Sequence, residues 1–194
     1  MVIQRIVDEQ GMLDPVLADT DYVRAAYVRG GRPAVLESVL VNLHSLGLIV
    51  PARPGTIRRE DRVRHRLDGF ERILWNAVIG NISPGALAGR PRVDAALLEL
   101  RRTCVRAGLV RRLVPPSLPF ARPRSGRVLI SHLRREFPLE SGEDLTMLVA
   151  LYGREALLQY APRFAKDSGL LDRSNSDNFG SAEAGPQGNS GLQG

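Results

Sequence analysis

Two groups of arginines form the pattern in this sequence that is most suggestive of chemistry. One group flanks a Pro54-Gly55 turn signal, and the other lies on and just after a predicted helix: Arg53, Arg58 and Arg59, and Arg101, Arg102, Arg106, Arg111 and Arg112. Guanidinium groups donate paired hydrogen bonds to phosphate oxygens and to the edges of bases. The two groups are therefore candidate nucleic-acid-binding residues.

The charge of the chain is concentrated in its middle. Residues 51–135 carry 19 basic and 6 acidic residues, a net charge of +13, whereas residues 1–50 carry −2 and residues 136–194 carry −5. Such a block attracts nucleic acid or an anionic membrane surface, and it can equally dock on a protein partner or on the acidic ends of its own chain. Arginine outnumbers lysine 26 to 1, a bias typical of GC-rich bacterial genomes, so a merely solvated arginine-rich face is an alternative.

Residues of the types that perform catalysis are present but are not arranged for it. The histidines are isolated in sequence and lack the spacing of metal ligands: His44, His65 and His132. Cys104 lies at an apolar helical position, where a core thiol is expected. Ser83 belongs to a Ser-Pro-Gly turn, and Gly30-Gly31 lacks the spacing of a phosphate-binding loop. We therefore expect a protein that is not an enzyme and has no metal, cofactor or small-molecule site.

The elements that must position the arginines follow from a pattern that occurs twice. From Pro33 to Val50, and again from Val93 to Arg112, an amphipathic helix ends at a glycine and is followed by apolar, strand-like residues. The glycines are Gly47 and Gly108, each followed by leucine. A helix stopped by glycine and followed at once by a strand is typical of the centre of a winged-helix module.

The sequence predicts a mainly α fold with small β-hairpins, built from two tandem winged-helix-like modules, a C-terminal apolar helix and a disordered tail. The predicted boundaries are 14–60 and 67–114 for the modules, 115–142 for a proline-rich connector with a short helix, 143–166 for the packing helix and 172–194 for the tail. The predicted helices are 21–28, 33–46, 67–79, 93–107, 128–136 and 145–160, with a helical turn at 85–89 and strands at 48–50, 56–58 and 109–114.

The two modules differ in how well they suit DNA. In a DNA-binding winged helix, the helix before the wing enters the major groove and presents hydrogen-bond donors there. The first module offers only Asn42 and Ser45 beside Glu37, among outward positions that also include Ser38. It also lacks a middle helix, because only residues 30–32 separate its two helices. This departure favours a degenerate module that binds protein, whereas the arginines of the second module remain candidates for DNA.

The chain resembles an uncharacterised bacterial family, the near-uncomplex domain, over roughly residues 14–165. The resemblance is carried by structural residues and by the late apolar segment near 148–165: Tyr27, Gly30, Gly31, Arg32, Pro33, Gly47 with Leu48, and Gly108 with Leu109. It implies an origin of the actinobacterial type and supplies no activity, ligand or catalytic residue. Many relatives resemble membrane-anchored proteins, but the corresponding stretch here contains no spanning segment.

Two functions remain open at this point. The favoured hypothesis is a cytoplasmic interaction module that recognises a protein partner or self-associates. The alternative is a DNA-binding transcriptional regulator that uses the arginines of the second module and of the hairpin. The cytoplasmic location is predicted because Cys104 is the only cysteine, the N-terminus lacks a secretory pattern and no apolar run reaches about 18–20 residues.

Overall fold

The computed structural model describes residues 21–60, 67, 69–112 and 123–171. Within those ranges the chain is mainly helical and contains a two-stranded antiparallel hairpin. The helices are α1 (Tyr22–Ser45), α2 (Gly69–Ala77), α3 (Pro84–Ala88), α4 (Pro91–Arg106), α5 (Arg124–Glu136), α6 (Leu145–Tyr152), α7 (Arg154–Tyr160) and α8 (Pro162–Asp167), and the strands are β1 (Ile49–Pro51) and β2 (Ile57–Arg59). A 3-10 turn, Leu139–Ser141, precedes α6.

Helix α1 is bent where the sequence predicts a break. Asp21 caps its start, because its carboxylate accepts a hydrogen bond from the backbone N–H of Arg24 at 2.7 Å. Gly30 and Gly31 leave the helical conformation, and Gly31 has a φ of 67°, which a glycine adopts without strain. Pro33 follows in the first turn of the second half, where its missing N–H costs no helical hydrogen bond.

The second half of α1 is enclosed on more sides than its periodicity predicts. Helix α6 packs along it, and both helices contribute fully buried residues to one core. Ser38 was expected to face outward but is buried, and its hydroxyl donates to the carbonyl of Ala34 at 2.8 Å. Glu37 and Asn42 are also partly covered, which leaves Ser45 as the exposed member of the predicted outer face. The prediction was wrong because the periodicity of one helix cannot show which other helices will cover it.

The repeated helix–Gly–Leu pattern is a repeated helix cap. In each copy the N–H of the leucine donates to a carbonyl five residues earlier, and the glycine has a positive φ of 68–69°. The structure contains a third copy at the end of α8, with Gly169 at φ 75°. The three leucine bonds are Leu48 to Leu43, Leu109 to Cys104 and Leu170 to Ala165, each 2.9–3.0 Å long.

The first copy leads into the predicted hairpin. Strands β1 and β2 pair antiparallel with Val50 opposite Arg58, and Pro54-Gly55 forms the connecting turn. On its other side, β2 makes an isolated bridge to Ile82, with two backbone hydrogen bonds of 2.9 Å between Ile57 and Ile82. The hairpin is thereby tied to the segment that precedes α3.

The second copy does not lead into a strand, contrary to the prediction for 109–114. Residues 109–112 have no strand conformation, and 113–114 lie outside the described residues. Leu109 and Val110 instead turn into the core. The first turn of α5 contacts this end of α4, because the hydroxyl of Ser125 donates to the carbonyl of Gly108. Helix α5 accordingly begins at Arg124, four residues before its predicted start.

The late apolar segment is two helices rather than the one predicted for 145–160. Gly153 separates α6 from α7, with φ 62° and ψ −122°, a conformation that no helix contains. Two arginines cap the end of α6, because Arg29 donates to the carbonyl of Ala150 and Arg134 to that of Leu151, both at 2.8 Å. The chain supplies this cap from two distant helices.

Helix α8 returns to the hairpin. The ring of Phe164 stacks on His44 with centroids 4.0 Å apart, and the N–H of Gly55 donates to the carbonyl of Asp167 at 2.9 Å. The hairpin turn is therefore held against the end of the chain's last described helix. The predicted tail at 172–194 and most of the proline-rich stretch lie outside the described residues. No helix in the described part is both long enough and apolar enough to cross a membrane.

Candidate interaction surfaces

A polar cluster joins three helices beside the core, and the sequence reasoning missed it. The hydroxyl of Tyr22 donates to the Glu71 carboxylate at 2.6 Å, and the side-chain amide of Asn42 donates to the same oxygen at 2.7 Å. The hydroxyl of Thr146 donates to the side-chain amide oxygen of Asn42 at 3.3 Å. Asn42 therefore contacts α2 and α6 and is not available to read DNA. The only indication of this cluster in the sequence was that Asn42, on a mostly apolar helix, is polar.

Tyr22→Phe is expected to lower the stability of the fold and to change its pH dependence. Burial, together with the neighbouring Glu71, raises the pKa of Tyr22 above its ordinary range. The folded state thus keeps the phenol proton at pH values where an unfolded tyrosine, with a pKa of about 10, has lost it. The stabilisation is fully present below about pH 10 and is lost as the pH rises further.

The test is urea unfolding of wild type and variant near about pH 8 and about pH 10.5. The variant should lose about 1.5 kcal/mol at the lower pH, the low end for a hydrogen bond to a charged group. Its stability should then fall less between the two values than that of wild type. Thr146→Val keeps the phenol and should retain the wild-type pH dependence. Parallel pH curves for Tyr22→Phe and wild type would contradict this assignment.

The predicted arginines of the second module lie on and just after α4, and three of them form ion pairs or hydrogen bonds with neighbouring residues. Arg102 and Arg106 are each 72% exposed, and both form ion pairs of 3.1 Å with Glu99. Arg101 donates to the backbone carbonyl of Arg112 at 2.9 Å, which links the helix to the residues after it. Arg111 and Arg112 are exposed. The Glu99 carboxylate thus holds two of the five arginines, and a backbone contact links two others, Arg101 and Arg112.

Helix α5 adds two arginines that the sequence reasoning did not associate with this group. Its first turn packs against the end of α4 through the contact between Ser125 and Gly108. Arg124 and Arg127 flank that contact and are exposed. The α4–α5 arginine surface is defined here as Arg101, Arg102, Arg106, Arg111, Arg112, Arg124 and Arg127. The sequence could not predict that α5 contributes to this surface, because that depends on the tertiary contact between α5 and the α4 cap.

The predicted hairpin arginines separate into two environments. Arg53 is exposed beside the turn. Arg58 forms an ion pair of 3.1 Å with Glu60, and the guanidinium of Arg59 lies 4.5 Å from the centroid of the Trp75 ring. The last two line a cleft with the loop after α2. The hairpin therefore does not present its three arginines as one projecting wing.

The residues that suggested catalysis or metal binding have structural surroundings. Burial raises the pKa of the Cys104 thiol to about 11, which opposes formation of a nucleophilic thiolate. His44 is fixed by Phe164 and by the carbonyl of Ile49 at 3.1 Å, and His132 lies 3.8 Å from Glu136. Among the described residues, no three His, Cys, Asp or Glu side chains are grouped so as to hold a metal ion. His65 lies outside the described residues.

The residues on which the resemblance rests have structural roles. Tyr27 is almost fully buried, and burial raises its pKa to about 12. Gly30, Gly31 and Pro33 make the bend of α1, whereas Gly47 and Gly108 make helix caps. Comparison with protein-family models, with curated proteins and with solved structures finds no match to this chain.

Proposed function

We propose that this chain is a non-enzymatic protein-interaction module whose contact surface is the outer side of α4. Leu98 carries the proposal, because it is 44% exposed on a helix that Leu97 and Cys104 anchor in the core. Arg102 lies one turn further along the same helix. An exposed leucine beside exposed arginines gives a mixed apolar and cationic face, and such faces suit protein partners better than phosphate backbones.

The charge of the surrounding surface defines the kind of partner. The seven arginines of the α4–α5 arginine surface outweigh Glu99, which pairs with two of them. These pairs are exposed and therefore weak, so a competing carboxylate can replace Glu99 at little cost. The partner proposed is an acidic, amphipathic segment that places an apolar side chain on Leu98 and carboxylates on Arg102 and Arg106.

We further propose that the chain contains two degenerate winged-helix modules. Helices α2, α3 and α4 correspond to the three helices of such a module, and the second half of α1 with the hairpin corresponds to the other. In a DNA-binding winged helix, the second half of α1 would enter the major groove, but here α6 packs along α1. The hairpin turn is held by α8. Both features oppose insertion into a DNA groove and support use of the modules in protein contacts.

Photo-crosslinking from position 98 tests the proposal. A photoreactive amino acid replaces Leu98 in the full chain, and the same group at exposed Ser131 on α5 is the control. A discrete protein adduct in lysate is expected from position 98 and not from 131. With the identified partner purified, Leu98→Asp should weaken binding about tenfold or more, as for a hot-spot residue. Equal adducts at both positions, or unchanged affinity, would reject the assigned face.

DNA binding is the second candidate, and the α4–α5 arginine surface favours it. The test is fluorescence anisotropy with duplex DNA fragments at about 50 and about 200 mM salt, a range over which phosphate-dominated binding weakens steeply. If DNA is the ligand, the double variant Arg101→Ala/Arg102→Ala should bind DNA more weakly and with a smaller salt dependence. No binding at the lower salt concentration would reject this candidate.

A further inference from the structure

Residues 1–20, which precede the cap of α1, combine acidic residues with an apolar pattern. Apolar and polar residues alternate in pairs from residue 2 to residue 9, which predicts a helix with one apolar side. The apolar pairs are Val2-Ile3 and Ile6-Val7, and the four acidic residues of the segment are Asp8, Glu9, Asp14 and Asp19. The segment lies outside the described residues, but its composition is the acidic and amphipathic one proposed above for a partner of α4.

The fold determines where this segment joins the core. Helix α1 packs on α4, and just after its bend Arg32 forms an ion pair with Asp94, near the start of α4. The beginning of α1 lies at the other end of α4. Burial raises the pKa of the Cys104 thiol, and the charges of Arg24 and Asp21 also act on this pKa, as only nearby charges do. The first half of α1 is therefore antiparallel to α4, and residues 1–20 begin beside its C-terminal turns.

The outer face of α4 presents its groups in an order that matches the segment. Four exposed positions at helical spacing form one stripe along this face: Ala95, Leu98, Arg102 and Arg106. The apolar part of the stripe lies towards the start of α4, and its cationic part lies towards the end, near Asp21. In the segment, Glu9 and Asp14 are closer to Asp21 in sequence than the apolar pairs are. A segment that runs back along α4 therefore brings carboxylates to the arginines and apolar side chains to Leu98.

The segment is long enough to cover this stripe. Residues 95–106 span about 16 Å, at a rise of about 1.5 Å per residue. Passing from the inner to the outer side of a helix, about 10 Å across, takes about three or four extended residues. The rest of the segment covers about 20 Å even if it is helical. Because the segment is covalently attached, its effective concentration is on the order of millimolar, and individually weak ion pairs suffice.

We propose that residues 1–20 fold back within the same chain and cover the outer face of α4. The apolar pairs contact Leu98, and the carboxylates of Glu9 and Asp14 pair with the arginines towards the end of the helix. The use of this face for interactions rests on the proposed function. The new element is that the chain's own segment occupies the face, so that a protein partner must displace it.

Photo-crosslinking within the purified full chain tests this arrangement. A photoreactive amino acid replaces Leu98, and exposed Ser131 on α5 is the control position. Unlabelled and isotope-labelled chains are mixed in equal parts before irradiation, and mass spectrometry identifies the linked peptides. We expect links from position 98 to residues 2–7 within single chains, and none from position 131. The absence of links to residues 1–20 would overturn the proposal. Links between chains as frequent as links within chains would do the same, because a second copy would then supply the segment.

Two matched variants measure the contribution of charge. The double variant Glu9→Gln/Asp14→Asn should lower the yield of the internal link several-fold, because it removes the carboxylates that pair with α4. The double variant Glu140→Gln/Glu143→Gln removes two exposed carboxylates elsewhere and should change the yield less than about twofold. Equal losses in the two double variants would overturn the assigned pairing.

Failure of the covering segment and failure of the protein partner give different results. The adduct formed in lysate from position 98 reports the partner, whereas the link in the purified chain reports residues 1–20. A partner adduct without an internal link would reject the covering segment and keep the proposed function. An internal link without a partner adduct would do the reverse. Where both form, Glu9→Gln/Asp14→Asn should raise the yield of the partner adduct, because the face is uncovered, and an unchanged yield would overturn the competition.

Discussion

Gly153→Ala is expected to destabilise the protein by about 3 kcal/mol, from backbone strain and a displaced arginine together. The φ of 62° and ψ of −122° at this residue lie in a region that is open to glycine and closed to side chains with a Cβ. The added methyl group would also collide with the guanidinium of Arg29. That guanidinium caps α6 through the carbonyl of Ala150 and pairs with Glu37 at 3.1 Å.

Gly47→Ala is the comparison variant, because it places a side chain at a positive φ without a steric collision. Gly47 has a φ of 69°, but nothing lies within 4 Å of the position that a Cβ would take. This variant should lose about 1 kcal/mol, the cost of a left-handed residue alone. Arg29→Ala should cost less in the Gly153→Ala background than in wild type, because the cap is already broken there. Equal losses for Gly47→Ala and Gly153→Ala in urea unfolding would show that neither the ψ of −122° nor the displaced Arg29 adds to the cost of a positive φ.

Features encoded by a few neighbouring residues could be predicted from the sequence. The bend at Gly30-Gly31, the hairpin around Pro54-Gly55 and the caps at Gly47 and Gly108 each depend on local backbone preferences. The break at Gly153 was missed because the apolar pattern continues on both sides of it. A glycine inside an apolar run has the same sequence signature whether the helix continues or ends. Here the helix ends, and its cap comes from Arg29, which is 124 residues away from Gly153 in the chain.

The candidate surfaces show the same division between local and distant causes. The arginine groups were recognisable by residue type and spacing. The pairing of Glu99 with Arg102 also follows from the predicted helix, because the two residues are three positions apart. Trp75 could not be recognised as the partner of Arg59, because the two meet only after the hairpin packs on α2. Asn42 was assigned to an outer face because its periodicity could not show that α2 and α6 would enclose it.

Gly126→Ala is the second substitution with a large expected effect. Gly126 is buried in the first turn of α5, where an added Cβ would collide with the backbone carbonyl oxygen of Leu109 and crowd the side chain of Val28. A backbone atom cannot rotate away, so α5 or the end of α4 must move as a unit. Alanine favours the helix by about 1 kcal/mol over glycine, which offsets part of the cost. We expect a net loss of about 2–3 kcal/mol, typical of overpacking.

Ser131→Ala is the matched control, because it changes an exposed position of the same helix and should alter stability by less than about 0.5 kcal/mol. The comparison bears on the interaction surface as well as on stability. Gly126 lets α5 approach Leu109 in the α4 cap, and that approach brings the first turn of α5, which carries Arg124 and Arg127, to the end of α4. A folded Gly126→Ala variant should therefore bind an acidic partner more weakly, since the two helices separate. If Gly126→Ala unfolds at the same urea concentration as wild type, α5 does not pack closely on Leu109. The α4–α5 arginine surface is then not a single site.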